Sequence, residues 1–245
     1  MPVMLHTRGI VVRTLRYGES SVITDIFTAE KGLCSFIGGS VRTARSRMPF
    51  SLFQPLSPVV LVSYWKEDVS ALHRLKECRA DMPLTGIPFE LKKGAVALFM
   101  AEVLRKCLHP GEAHPALFEF LSEVVQYTDV TPGSVAHLPL YFLVHLAEHL
   151  GIQPHLPDPE EGPQFFDLRE GYTSVLPPAH GLHLSPDDTD RLRVLTAADI
   201  ADIADLAFTG QERRHLLHRL LTYYQIHVEG FNEINTPDVL ELVLK

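Results

Sequence analysis

The chain has 245 residues, 46% of them hydrophobic, and a mean hydropathy of +0.06, enough for one large core or two smaller ones. No run approaches the ~18 uninterrupted apolar residues of a membrane span, and three widely spaced cysteines, Cys34, Cys78 and Cys107, exclude a disulfide framework and a CxxC motif. The formal net charge is −8, unevenly divided: residues 1–80 carry 11 Lys+Arg against 6 Asp+Glu, the remainder 11 against 24, so the two parts of the chain are expected to meet different partners.

The opening MPVMLHTRGIVVR has no basic segment leading into an apolar one. A secretory leader is therefore not expected, and the cytoplasm is the expected compartment. Five stretches rich in Val, Ile, Thr and aromatics follow one another: LHTRGIVVRTLRYG, SVITDIFTAE, GLCSFIGGS, SPVVLVSYW and SALHRLKECRA. Turn-forming residues separate them, and five short strands in about 80 residues match a small closed barrel. No helical stretch interrupts them, which argues against a parallel α/β sheet.

The period then changes. Val96, Phe99, Met100, Val103 and Cys107 recur at steps of three and four and predict a helix over 90–108. Pro110-Gly111 ends it, and a second helix opens at His114-Pro115. A third, over about 137–150, is apolar nearly all round and is expected at the centre of a bundle, capped by Gly151. Residues 152–187 are rich in proline and acid and predict an irregular insert, with a small hairpin in QFFDLREGYTSVLPPAHGLHLSP. Helical signals return at Pro186, continue over 211–228, and end in a short helix begun by Thr236-Pro237. The expected architecture is α+β: a five-stranded barrel over 1–82, then a helical domain over 83–245.

The stretch GGSVRTARSR places Arg42, Arg45 and Arg47 behind two glycines, in a segment with no carboxylate from Lys31 to Lys66. Like charges this close repel, and a guanidinium fork matches phosphate oxygens. The pattern points to a polyanion. Arg8, Arg13 and Arg16 on the first strand and Arg74, Lys76 and Arg79 on the fifth are expected to add to the same surface. Phe36, Tyr64 and Trp65 could stack on unpaired bases, although their apolar neighbours favour core positions.

TRGIVVRTLRYGESSVITDIFTAEKGLCSFIGGSVRTARSR resembles the amino terminus of the bacterial recombination mediator RecO family. Tyr17-Gly18-Glu19, the Phe27–Gly32 stretch and the basic loop from Gly39 to Arg42 carry the likeness, FQPLSPVVLV fits the fourth strand, and LLTYYQIHVEGFNEINTPDVLELVL resembles the closing helices. The resemblance implies an OB-fold and a carboxy-terminal helical domain. It further implies binding to single- and double-stranded DNA, annealing of complementary strands, and work with RecR to load RecA onto strands coated by single-strand-binding protein (SSB), in the cytoplasm at the nucleoid. The acidic tail of SSB would need a basic, partly apolar pocket, for which Lys92, Lys93, Arg105 and Lys106 on the first long helix are the candidates. Many members of that family hold zinc with four cysteines in the insert. Residues 155–185 have none, so no structural zinc and no other cofactor is expected, and Phe165, Phe166 and Tyr172 would have to hold the insert.

Two rival readings follow from other features. His145 and His149, His180 and His183, and His215 and His218 stand three or four apart, as in a metal-dependent hydrolase. No third ligand is specified, and HExxH, GxSxG and P-loop motifs are missing, so no catalysis by the chain itself is expected. The second rival is a scaffold whose barrel binds peptide.

Overall fold

The computed structural model describes residues 3–41, 43, 46–68, 71–111, 113–157 and 164–244. The chain divides into two units, residues 1–130 and 131–245.

In the first unit, β1 (Val3–Tyr17), β2 (Ser21–Thr28), β3 (Gly32–Gly38), β4 (Pro58–Trp65) and β5 (His73–Ala80) close into a barrel in the order β1-β2-β3-β5-β4, the expected OB-fold arrangement. The fifteen residues of β1 serve two neighbours: its first half pairs antiparallel with β4 and its second half with β2. Gly9 sits where both pairings meet, opposite Thr28 and Val59. A Cβ there would lie 2.4 Å from Ile26 Cγ2, so only glycine lets the strand cross at this point. A bulge between Val11 and Arg13 then exchanges the two faces of β1. The barrel is sealed by a parallel β3–β5 seam that pairs Phe36 with His73 and Ile37 with Arg74.

The interior is filled by Val11, Ile26, Phe36, Leu61 and their neighbours, and is closed by Val41 and Phe53 from the β3–β4 connection. Cys34, Cys78 and Cys107 are all buried, and burial pushes their thiols up to about 11, 12 and 12.

Two helices, α1 (Leu91–Cys107) and α2 (Pro115–Val130), belong to the same unit. α2 lays Phe118 against Phe27 of β2, ring centroids 6.3 Å apart. The link between barrel and helices is fastened by Asp129, whose carboxylate accepts from the backbone N–H groups of Thr85, Gly86 and Ile87 at 2.7–2.8 Å.

The second unit is built on α3 (Leu138–His149), buried over most of its length as the apolar sequence demands. Beside it run α4 (Pro186–Ala197), capped by Ser185, and α5 (Gly210–His227), opened by a Thr209–Glu212 capping box; α6 (Thr236–Val243) is shorter. The insert is more ordered than a single hairpin. β6 (Phe165–Asp167), β7 (Thr173–Ser174) and β8 (His183–Leu184) form a three-stranded sheet in the order β7-β6-β8.

A stripe of α5 side chains four residues apart grips the insert and its approach. Arg219 donates to the carbonyls of Gly181 and His183, Tyr223 to Ile152 and His227 to Leu168. Asp167 completes the hold: it accepts from the N–H groups of Arg169 and Glu170 and from Nε2 of His180, whose Nδ1 accepts from Leu182.

Candidate nucleic-acid interface

Strand register decides where the charges of the barrel fall. Residues directly opposite in paired strands project to the same side. Arg16 stands opposite Val22, and Val22 opposite Gly38, so the connection that carries the arginine cluster leaves the barrel in the row of Arg16. The described flanks of this loop are anchored. Val41 is buried, and Met48, Phe50 and Leu52 pack against the barrel interior. Thr43 donates its hydroxyl to Ser40 O and accepts at its carbonyl from Ser46 N, while Ser46 and Met48 exchange bonds. Ser40 takes a left-handed φ of 55° just after the two glycines, which turns the chain at the barrel rim. Arg47 is exposed; Arg42 and Arg45 lie outside the described residues.

The other basic positions divide. Arg8 points outward and meets α2: its guanidinium lies 2.7 Å from Glu119 Oε1 and 5.0 Å from the Phe118 ring centroid. Both partners are exposed, so this pair contributes no more than about 1 kcal/mol. Arg79 stands two strands away in the same row, with Val60 between them. Arg13 lies 3.9 Å from Asp25, which also accepts from Ser35 Oγ. Lys76 pairs with Glu77 at 3.8 Å. Arg74 is exposed in the row that joins Ile37 of β3 to Tyr64 of β4.

The four helix residues do not share a face. Lys92 is exposed at the start of α1, while Arg105 and Lys106 stand in its last turn, about 20 Å along the helix. Lys93 is buried; its ammonium lies 2.9 Å from Glu90 and donates to Asp129 O. An apolar cavity with two arginines at its wall exists in the second unit, where the sequence reading did not place one. Pro139, Leu140, Leu217 and Leu240 line it with Arg213, Arg214 and Glu241; Arg213 donates to the carbonyls of Phe208 and Leu244, and Glu241 is paired with His218. Its signal was available in Arg213-Arg214 at the start of an amphipathic helix, where the positive helix end adds to their charge.

Among the aromatics, Phe36 is fully buried, and Trp65 lies partly buried with its ring stacked on His73 at 4.2 Å. Tyr64 is exposed. Tyr17 is also exposed and was missed in the sequence, although alternation along β1 beyond Arg13 places it on the same side as Leu15.

In each histidine pair at least one member is engaged outside the pair. His145 contacts Leu195 O, His180 Asp167, His215 Asp188 and His218 Glu241. Among the described residues no group of three His, Cys, Asp or Glu could hold a metal ion, and no described helix is long and apolar enough to cross a membrane.

Comparison with known proteins agrees with this architecture. Residues 1–80 match the family described as recombination protein O N terminal, and residues 88–233 match recombination protein O C terminal. The chain is 31% identical to the protein named DNA repair protein RecO of Phocaeicola vulgatus and, equally, to that of Bacteroides fragilis, over 96% of this chain and 97% of theirs. It is 27% identical to the protein of the same name from Flavobacterium psychrophilum, over 98% of each. Both halves thus match in order and in extent, and the chain belongs to the recombination protein O (RecO) family.

Proposed function

We propose that the chain is a DNA repair and recombination mediator that binds single- and double-stranded DNA, anneals complementary strands and, with RecR, helps load RecA onto strands coated by SSB. The observation that carries this reading is an OB-fold barrel whose β3–β4 connection, anchored at its described flanks, has a carboxylate-free run of arginines in its sequence, in a chain that matches the family over residues 1–80 and 88–233. The mechanism is electrostatic and needs no bond-making step. Guanidiniums replace condensed counterions along two strands, lower their mutual repulsion and so favour pairing. Phosphate contacts position the strands, and base pairing supplies the sequence specificity.

The acidic tail of SSB has two candidate docks. Lys92, Arg105 and Lys106 offer charge on separate turns of α1, whereas the Arg213–Arg214 cavity combines charge with apolar walls and fits such a tail better. Work at the nucleoid follows from the same reading.

The test is a DNA titration at two salt concentrations, with Arg42, Arg45 and Arg47 replaced by alanine. Wild-type affinity should fall steeply with salt, with a logarithmic slope of about −0.9 per duplex phosphate contacted. The triple variant should bind all sequences more weakly by a similar factor, with a shallower slope. An unchanged affinity would remove the loop from the interface; salt-independent binding would favour the peptide scaffold.

A further inference from the structure

We propose that α6 is a displaceable strap: it closes the cavity between α3 and α5 with its own leucines and a carbonyl, and it must leave before an acidic, apolar peptide can dock there. This role rests on the reading above that such a tail binds at the cavity, and adds to it a built-in control.

The charged half of the site belongs to α5. Arg213 and Arg214 converge on its first turn: a Cβ on Gly210 would lie 3.6 Å from a guanidinium nitrogen of Arg213 and 3.7 Å from one of Arg214. Two cations side by side at the positive end of an 18-residue helix attract a carboxylate. They differ in what occupies them. Arg213 is engaged inside the molecule, donating to the carbonyls of Phe208 and Leu244. Arg214 has no carboxylate partner among the described residues.

α6 supplies another wall. Pro237, Leu240 and Leu244 recur at steps of three and four, so they share a face. Pro237 and Leu240 are buried, and Leu240 and Leu244 line the cavity with Pro139, Leu140 and Leu217. The Leu244 carbonyl stands at the helix C-cap, where carbonyls lack an intrahelical partner and carry partial negative charge. Arg213 thus holds a partly negative oxygen framed by leucines. That is the chemistry of an acidic, apolar peptide, presented by the chain itself.

The hold is light. α6 has eight residues, fewer than an isolated helix needs to persist in water. Its other face carries Val239, 43% exposed, and Leu242, 70% exposed. Beyond the Arg213 bond, a 2.8 Å contact between His218 and Glu241 ties it to α5, and both of these side chains are well exposed. Few buried side chains and exposed polar ties mark a segment that opens locally while the rest stays folded. Buried Phe231 and Ile234 anchor the chain just before it, so the strap can swing out and remain attached. A carboxylate offers Arg213 a full charge in place of a carbonyl dipole, and gives Arg214 a partner as well, so an acidic peptide has the means to displace it.

Hydrogen exchange on the whole protein, with and without a labelled peptide of aspartates ending in phenylalanine, tests the strap by its sign. The α6 amides should exchange faster when peptide is added, while those at the start of α5 become protected. Leu240→Gly, which unseats α6 without adding charge, should bind the peptide at least about tenfold more tightly by fluorescence anisotropy, as expected when about a tenth or less of the wild-type population is open. Arg214→Ala should weaken binding with or without that change. Peptide that protects α6, or unchanged affinity in a Leu240→Gly variant whose α5 exchange is native, overturns the strap and leaves the dock standing. The sign in wild-type protein decides even where the variant is unstable. Peptide bound equally well after Arg214→Ala, or bound by neither wild type nor Leu240→Gly, overturns the dock and the strap together.

Discussion

Asp129 is 3% exposed, yet it is fully occupied: three backbone N–H groups and the Thr85 hydroxyl converge on its carboxylate. Burial alone would raise its carboxyl, but the N–H groups of Thr85, Ile87 and Gly86 outweigh burial and hold it below the ordinary value. The stabilisation is therefore complete above the unfolded value of about 4 and is lost as pH falls through the lower folded value. Asp129→Ala should cost about 2–4 kcal/mol, because it orphans buried donors, and should flatten the acid limb of the stability curve. Chemical denaturation followed by Trp65, the single tryptophan of the chain, checks both. Gly86 shows how tight the clasp is: a Cβ there would lie 2.1 Å from Asp129 O. None of this was visible locally. Lys93 reads as one more helix-surface cation until the fold brings Asp129, 36 positions away, to meet it.

The elements themselves were legible. Runs rich in Val, Ile, Thr and aromatics gave the five strands, steps of three and four gave the helices, and prolines and glycines gave the breaks, because these depend on neighbours in sequence. Register was not legible. Arg8 and Arg16 share an even spacing and would share a face on a regular strand, but the bulge after Val11 sends Arg8 to α2 and Arg16 to the barrel rim. The β3–β5 seam has no local signature either. It holds His73, fully buried, with both ring nitrogens lacking a hydrogen-bond partner among the described residues, between Trp65 and Phe36. Burial, aided by Lys66 and opposed by Asp68, lowers its pKa, so the neutral form is the one that fits. The seam's contribution is intact above the unfolded value of about 6.5 and declines as pH falls below it, since the unfolded chain takes up the proton more readily. His73→Phe should remove that decline while preserving the stack volume. Stability measured on either side of pH ~6 distinguishes the two proteins.

At the scale of the whole chain, the division of charge seen in the sequence corresponds to a basic barrel followed by acidic helices, and the resemblance to RecO extended through both. The cysteine-free insert left open what would hold it. Its sheet contributes Phe166, fully buried, but hydrogen bonds from α5 and the Asp167–His180 pair complete the attachment. A strong chelator should therefore leave the melting temperature unchanged, whereas Tyr223→Phe, which removes the bond to Ile152, should lower stability by about 1 kcal/mol; differential scanning calorimetry with and without chelator tests the contrast. The buried thiols have a further consequence. Peroxide attacks thiolates, and side chains held at about 11 to 12 furnish almost none at neutral pH. Oxidative stress that breaks chromosomes should thus leave these sulfur atoms untouched, and the native protein should accept a dye at a single engineered surface cysteine without competing labels.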